Sequence, residues 1–334
     1  MSNLDKPLLS IKNLKVVFPS EMGVVRAVEG INLSLRPGEC AAIVGESGCG
    51  KSVTSQAVMR LLNSPPALMQ AEELTFDGHD LLHMEENQLC ELRGKDMCMI
   101  FQDALTALNP VMTVGRQMDE IFLRHNKMSK KEAKAASIEA LKLVGVPSPE
   151  RRYHDYPHQL SGGMRQRVLI AMAFAVKPKL IIADEPTTAL DVTIQAQVLD
   201  LLKKLQKEHH TALILITHDL SVVAHMADTV HVMYSGKIVE EADLRNLFKN
   251  PWHPYTQGLL ESVPEVDTPV EQRLKPIPGN PPDMSCLRKG CAFAPRCPYA
   301  MSICAREDAP LMELDKTHAA ACWKLLKREE VPAV

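Results

Sequence analysis

Gly45-Glu46-Ser47-Gly48-Cys49-Gly50-Lys51-Ser52 decides how the rest of the chain reads. The spacing of glycines, lysine and hydroxyl is that of a phosphate-binding loop. Cys40 to Val44 precede it, a short apolar run suited to a buried parallel strand. Val53 to Leu62 follow it and read as a helix. Glycines let the backbone curl until several N–H groups point at one anion, and a helix N-terminus adds a favourable dipole. Lys51 can reach the β- and γ-phosphates of a nucleotide, and Ser52 can ligate Mg²⁺.

A chain of 334 residues has room for one large domain and something smaller. Its 46% hydrophobic content is ample for a core, and a net charge of −3 gives no sign of a nucleic-acid partner. No apolar run approaches the roughly 18 residues of a membrane span. Met1 to Lys6 lack the apolar core of a signal peptide. The expectation is a cytosolic protein docked on a membrane.

Taken in order, Ile31, Leu33 and Leu35 alternate with Asn32, Ser34 and Arg36, the period of a half-buried strand. Leu74 to Gly78 read as a strand and tight turn. A small antiparallel sheet is therefore expected beside a parallel one. Phe18, at the end of the first strand, reads either as a core aromatic or as a stacking platform for an adenine ring. Residues 99–102 read as a strand ending at Gln102, where a polar side chain can ligate Mg²⁺ or hold water. Residues 115–145 look helical, with a capping box at Ser129 to Glu132 and a stop at Gly145. A helical subdomain over about 103–165 would interrupt the strand–helix alternation.

Leu160-Ser161-Gly162-Gly163-Met164 opens a helix read over Arg165 to Val176, a second place where glycines and a hydroxyl suit an anion. Leu180 to Glu185 read as a buried strand ending in two acids. Asp184 suits Mg²⁺ through water, and Glu185 suits a general base on the attacking water. Ala189-Leu190-Asp191 leads into an amphipathic helix. Leu213 to Thr217 read as another buried strand, with His218 at its carboxyl end placed to touch a γ-phosphate. Beyond Asn250, twelve of the 23 prolines crowd into the last 85 residues, which implies a loop-rich extension.

Nine cysteines divide into two groups. Cys40, Cys49, Cys90 and Cys98 are scattered and read as reduced thiols. Cys291, Cys297, Cys304 and Cys322 are separated by 5, 6 and 17 residues, with Cys286 just upstream as a spare. Disulfides do not suit a reducing compartment, and four thiolates suit either zinc or an iron–sulfur cluster.

With these residues in hand, the chain resembles the ATP-binding cassette ATPases. The phosphate loop 45–52, Gln102, the signature Leu160–Met164, Asp184-Glu185, Asp191 and His218 occur in that family's order. Met164 stands where the commonest family signature has Gln. More narrowly, Phe101 to Pro110, His158 to Arg167, Pro251 to Thr256 and Gly290 to Cys297 are similar to the bacterial peptide and nickel importers, and most to the dipeptide importers. The resemblance implies an α/β cassette over residues 1–250 with an antiparallel β subdomain, and a Cys-containing extension over 251–334. It implies ATP and Mg²⁺, with Glu185, His218 and Gln102 catalytic. Ser161, Gly162, Gly163 and Asp191 would serve a nucleotide shared with a second, non-identical ATPase. Two membrane subunits and a periplasmic binding protein would complete a complex at the bacterial inner membrane, with this chain peripheral on its cytoplasmic face. It also points the cysteine group towards [4Fe–4S], with zinc as the alternative. Oligopeptides or nickel are the other cargoes this group carries. A soluble cassette ATPase acting on DNA or ribosomes is a different class; those carry two cassettes, a long coiled coil or a basic surface, and none of these appears.

Overall fold

A computed structural model of the chain describes residues 6–20, 23–188, 190–262, 276–285 and 289–326. In chain order its strands are β1 (Leu9–Ser20), β2 (Gly23–Leu35), β3 (Cys40–Val44), β4 (Leu68–Gln70), β5 (Glu73–Phe76), β6 (His79–Asp80) and β7 (Met97–Ile100). β8 (Leu180–Asp184), β9 (Ala212–Thr217), β10 (Thr229–Tyr234), β11 (Lys237–Asp243), β12 (Met312–Asp315) and β13 (His318–Ala320) follow. The chain forms two compact units. The first takes the residues up to Leu8, Leu35–Cys40 and His83–Ile216, and the second takes Leu9–Ser34, Ala41–Leu82 and everything from Thr217 onward.

In the first unit β7, β8 and β9 run parallel, with Ile100 opposite Ala183 and Asp184 opposite Ile216. Every residue of β8 and β9 is buried, as their unbroken apolar sequence requires of strands covered on both faces. The helical part begins beyond β7. Helices Val114–His125 and Lys130–Leu143 fill the stretch 115–145 that reads as helical, the second starting at the Ser129 cap. Thr113 and Ser129 each cap the helix that follows, and Ser129 and Glu132 form the expected capping box. Gly145 takes a left-handed turn just past the second helix, as a stop signal should.

In the second unit an antiparallel sheet runs β2-β1-β5-β6, with β4 also on β1. Asp77 and Gly78, both at positive φ, turn β5 into β6. A second group of strands pairs β3 with β10 in parallel, then β10 with β11, β11 with β13 and β13 with β12, all antiparallel. The C-terminal extension is thus more ordered than its prolines suggest. It adds two short strands to the edge of β11 and holds a helix, Pro254–Glu261, whose proline sits in the first turn where no N–H is needed. Phe18 is half-buried near the end of β1, not a core residue. Among the described residues no helix is long and apolar enough to cross a membrane.

Candidate functional site

The loop Gly45–Ser52 joins β3 to the helix Lys51–Val58, which starts two residues earlier than the sequence suggested and ends sooner. Gly50 caps that helix with φ near 108°, and a Cβ there would stand 2.1 Å from the Ala27 carbonyl oxygen. Only glycine fits. Ser47 and Gly48 form the exposed tip, whereas Lys51 is only 5% exposed. The Lys51 ammonium donates to the carbonyl oxygens of Gly45, at 2.8 Å, and Glu46, at 3.0 Å. Carbonyl dipoles hold a cation without neutralising it, so an anion at this loop is favoured. Cys49 lies under the loop, its sulfur 3.9 Å from the Lys51 nitrogen, and burial pushes its thiol up despite that cation.

The sequence-predicted residues divide between the units. The loop, Phe18 and His218 belong to the second, and Gln102, Ser161 to Gly163, Asp184, Glu185 and Asp191 to the first. β7 ends at Ile100, two residues short of Gln102, and β8 ends at Asp184. Asp184 is 5% exposed. Glu185 follows at φ 46° and accepts hydrogen bonds at one carboxylate oxygen from Gln102 Nε2 and Thr188 Oγ1, each at 2.9 Å. Ser161 caps the helix Gly162–Phe174 by accepting from the Met164 N–H, so both signature glycines lie in its first turn. Asp191 likewise caps Val192–His209 through the Ile194 N–H. His218 is exposed just past β9, and the neighbouring Asp219 caps Leu220–Met226.

In the extension, Cys291, Cys297, Cys304 and Cys322 line one small apolar cavity together with Phe293, Trp323 and His253. A glycine holds its wall: a Cβ at Gly290 would meet the Cys304 carbonyl oxygen at 2.4 Å. Burial pushes the Cys322 thiol up to about 11, and the other three cysteines push it the same way. Among the described residues no group of three or more His, Cys, Asp or Glu is placed to hold a metal ion. Cys286, the spare, lies outside the described residues.

Sequence reasoning missed three features. Thr188 holds Glu185; its hydroxyl three residues downstream was the available signal. Arg296 reaches Glu46 of the loop with a bidentate ion pair at 2.6 and 2.8 Å, and no local pattern could have announced it. The fully buried Glu240 carboxylate accepts from the Trp252 and His253 N–H groups and pairs with His318, whose ring stacks on Trp252 at 3.6 Å.

Residues 28–188 match the ABC transporter family, and residues 239–304 match the C-terminal region of oligopeptide/dipeptide transporters. A dimeric ATP-binding cassette solved in a post-hydrolysis state with ADP and phosphate superposes with a TM-score of 0.63 at 28% identity, covering 71% of this chain and 99% of that one. A cassette of an ABC transporter complex from Clostridium perfringens gives 0.61 at 27% identity, covering 74% and 92%. Fold and loop together define an ABC-type ATPase cassette. The oligopeptide transport ATP-binding protein OppD of Bacillus subtilis is 52% identical over 318 residues, 95% of this chain and 89% of the relative. The dipeptide transport ATP-binding protein DppD of the same organism is 50% identical, covering 97% and 96%, and OppD of Escherichia coli is 50% identical, covering 95% and 93%. The chain belongs to the ATP-binding subunits of the oligopeptide/dipeptide ABC transporter family, whose cassette hydrolyses ATP.

Proposed function

We propose that this chain powers the uptake of dipeptides across a bacterial inner membrane. The buried Lys51 ammonium, which donates to the carbonyl oxygens of Gly45 and Glu46, is the observation that carries the nucleotide site. Residues 45–52 take the phosphates of ATP. Ser52, Gln102 and Asp184 hold Mg²⁺, which neutralises charge on the phosphate oxygens when bound. Phe18 offers a partly exposed ring to the adenine. Glu185 takes the proton of the attacking water, and His218 steadies the γ-phosphate.

The chain carries one signature and one loop, so it works with a second, non-identical cassette. Ser161, Gly162, Gly163 and Asp191 serve the partner's nucleotide, and the partner's signature serves this one. Two membrane subunits receive the motion through Gln102 and the helical part, about 103–165. A periplasmic binding protein delivers cargo, and this chain sits peripherally on the cytoplasmic face. The cassette is residues 1–250 and the extension 251–334. Nucleic acid has no place in this scheme, since the net charge is −3.

Cys291, Cys297, Cys304 and Cys322 hold a [4Fe–4S] cluster. Burial and the neighbouring cysteines raise Cys291 and Cys322, so their ionisation is eased by positive charge. Four cysteines that line one cavity supply the number of ligands such a cluster takes. Its role is to crosslink an extension whose described elements are short.

The cargo is tested with the reconstituted complex and the partner periplasmic protein. Dipeptide binding and ATP-driven dipeptide uptake are expected. Binding of longer peptides or nickel in place of dipeptides would move the chain to the other cargoes of its family.

A further inference from the structure

An acid inside a phosphate-binding loop is electrostatically awkward, because its charge repels the anion the loop must hold. Glu46 is such an acid, and the C-terminal extension holds it. Arg296 donates from Nη1 to Glu46 Oε2 at 2.6 Å and from Nη2 to Oε1 at 2.8 Å. Arg296 is 8% exposed and its guanidinium is fixed on its other side, donating from Nε to the Pro278 carbonyl at 2.9 Å and from Nη1 to the Tyr234 hydroxyl at 3.3 Å. The Glu46 N–H donates to the hydroxyl of fully buried Tyr255 at 2.8 Å, and the Glu46 carbonyl accepts from Lys51. Glu46 is therefore held at all three of its polar groups, two of them by residues beyond position 250.

Arg296 ends the single turn Ala294–Arg296, which lies between Cys291 and Cys297. Its N–H donates to the Phe293 carbonyl, and the Cys297 N–H donates to that of Ala294. The Phe293 ring packs against both Tyr234 and Tyr255. A bidentate fork tolerates little displacement.

We infer that Arg296 is a positioning residue for the phosphate loop, holding and neutralising Glu46 so that the loop can take the phosphates.

The test measures MgATP affinity at this chain's site in the assembled complex, with the thermal midpoint read in parallel. Arg296→Gln leaves Glu46 uncompensated beside the phosphates and is expected to weaken binding about tenfold or more. Adding Glu46→Gln to that variant is expected to recover most of the loss, because the unpaired charge is gone. Arg296→Lys, which keeps the charge and loses the fork, is expected to fall between and guards against a variant that fails to fold. A strap that only pins the extension would lower the thermal midpoint in every variant without this pattern. Unchanged affinity in folded Arg296→Gln, or no recovery in the double variant, overturns the positioning role.

Discussion

Gln102 Nε2 donates to Glu185 Oε2 at 2.9 Å, across 83 positions of sequence. The register of two strands makes this bond. Ile100 lies opposite Ala183 in the β7–β8 pair, so the residues two steps further on, Gln102 and Glu185, leave the sheet side by side. Gln102 opens the helical part of the chain, and Glu185 closes the strand that carries the acids. A displacement of the segment after β7 therefore changes what holds the carboxylate, which is a physical route between the helical part and the base.

Glu185→Gln is expected to keep nucleotide binding and to lower turnover by about 10²–10⁴-fold, the usual loss of one general base. The amide still accepts from Thr188 and Gln102 but takes no proton from water. Turnover is measured in the assembled complex with the partner's equivalent acid disabled, since the partner's own site can otherwise mask the loss. Activity above about half of wild type would remove Glu185 from the role.

Lys51→Ala removes the only cation of the loop Gly45–Ser52. A phosphate then loses a charge-assisted partner in a partly desolvated place, and nucleotide affinity is expected to fall by tenfold or more, about 1.4 kcal/mol at least. Equilibrium nucleotide titration of the full chain reads this directly. Unchanged affinity would mean that the nucleotide binds elsewhere.

How much of this was legible follows from where the information lies. Gly45 to Ser52, the cap at Ser129 and the acids Asp184 and Glu185 are local patterns, and each stands where the sequence put it to within a residue or two. Helix ends were less legible. The run after the loop stops at Val58, and Arg60 turns back at positive φ with no glycine or proline at its own position to signal it. β13 is three residues long and exists because β11 and β12 supply hydrogen-bonding partners, which no local periodicity encodes. Arg296 and Glu46 are 250 positions apart, so their ion pair is a property of the fold alone.

Tyr153 ties the helical part together and gives it an alkaline limit. Its hydroxyl donates to Asp119 Oδ2 at 2.5 Å, and Ser137 Oγ donates to the other carboxylate oxygen at 2.6 Å. Its ring packs over Gly115, where a Cβ would meet it at 2.3 Å. Burial first, and then the bond to Asp119, push the phenol up to about 12. The unfolded value is about 10, so the folded state holds its proton more tightly. This contribution to stability is complete below about pH 10 and is lost as pH rises towards 12. Tyr153→Phe is expected to cost about 1 kcal/mol at neutral pH, because Asp119 loses a donor, and to flatten that alkaline decline. Denaturant unfolding of wild type and variant across the range gives both numbers. An identical decline in the two proteins would assign the limit to other groups.

The cysteine cavity makes the sharpest chemical prediction. Cys291 and Cys297 flank the turn Ala294–Arg296, Cys304 lies in the turn Ser302–Ala305 and Cys322 follows β13, yet all four line one apolar space. Left empty, it would gather Cys291, Cys297 and Cys322, whose ionisation burial opposes. Filled by a cluster, the thiolates gain a cation and the extension gains a crosslink spanning Cys291 to Cys322. Anaerobic purification of the full chain followed by iron and sulfide analysis is expected to give about four of each per chain, with the broad visible absorption of a cluster. Replacing any one of the four by Ser is expected to lower the iron content and the thermal midpoint together. Replacing Cys286 alone is expected to leave the iron unchanged. Stoichiometric zinc without iron would keep a metal site and refute the cluster, no metal at all would refute both, and iron lost with Cys286 would mean that the ligand set includes it.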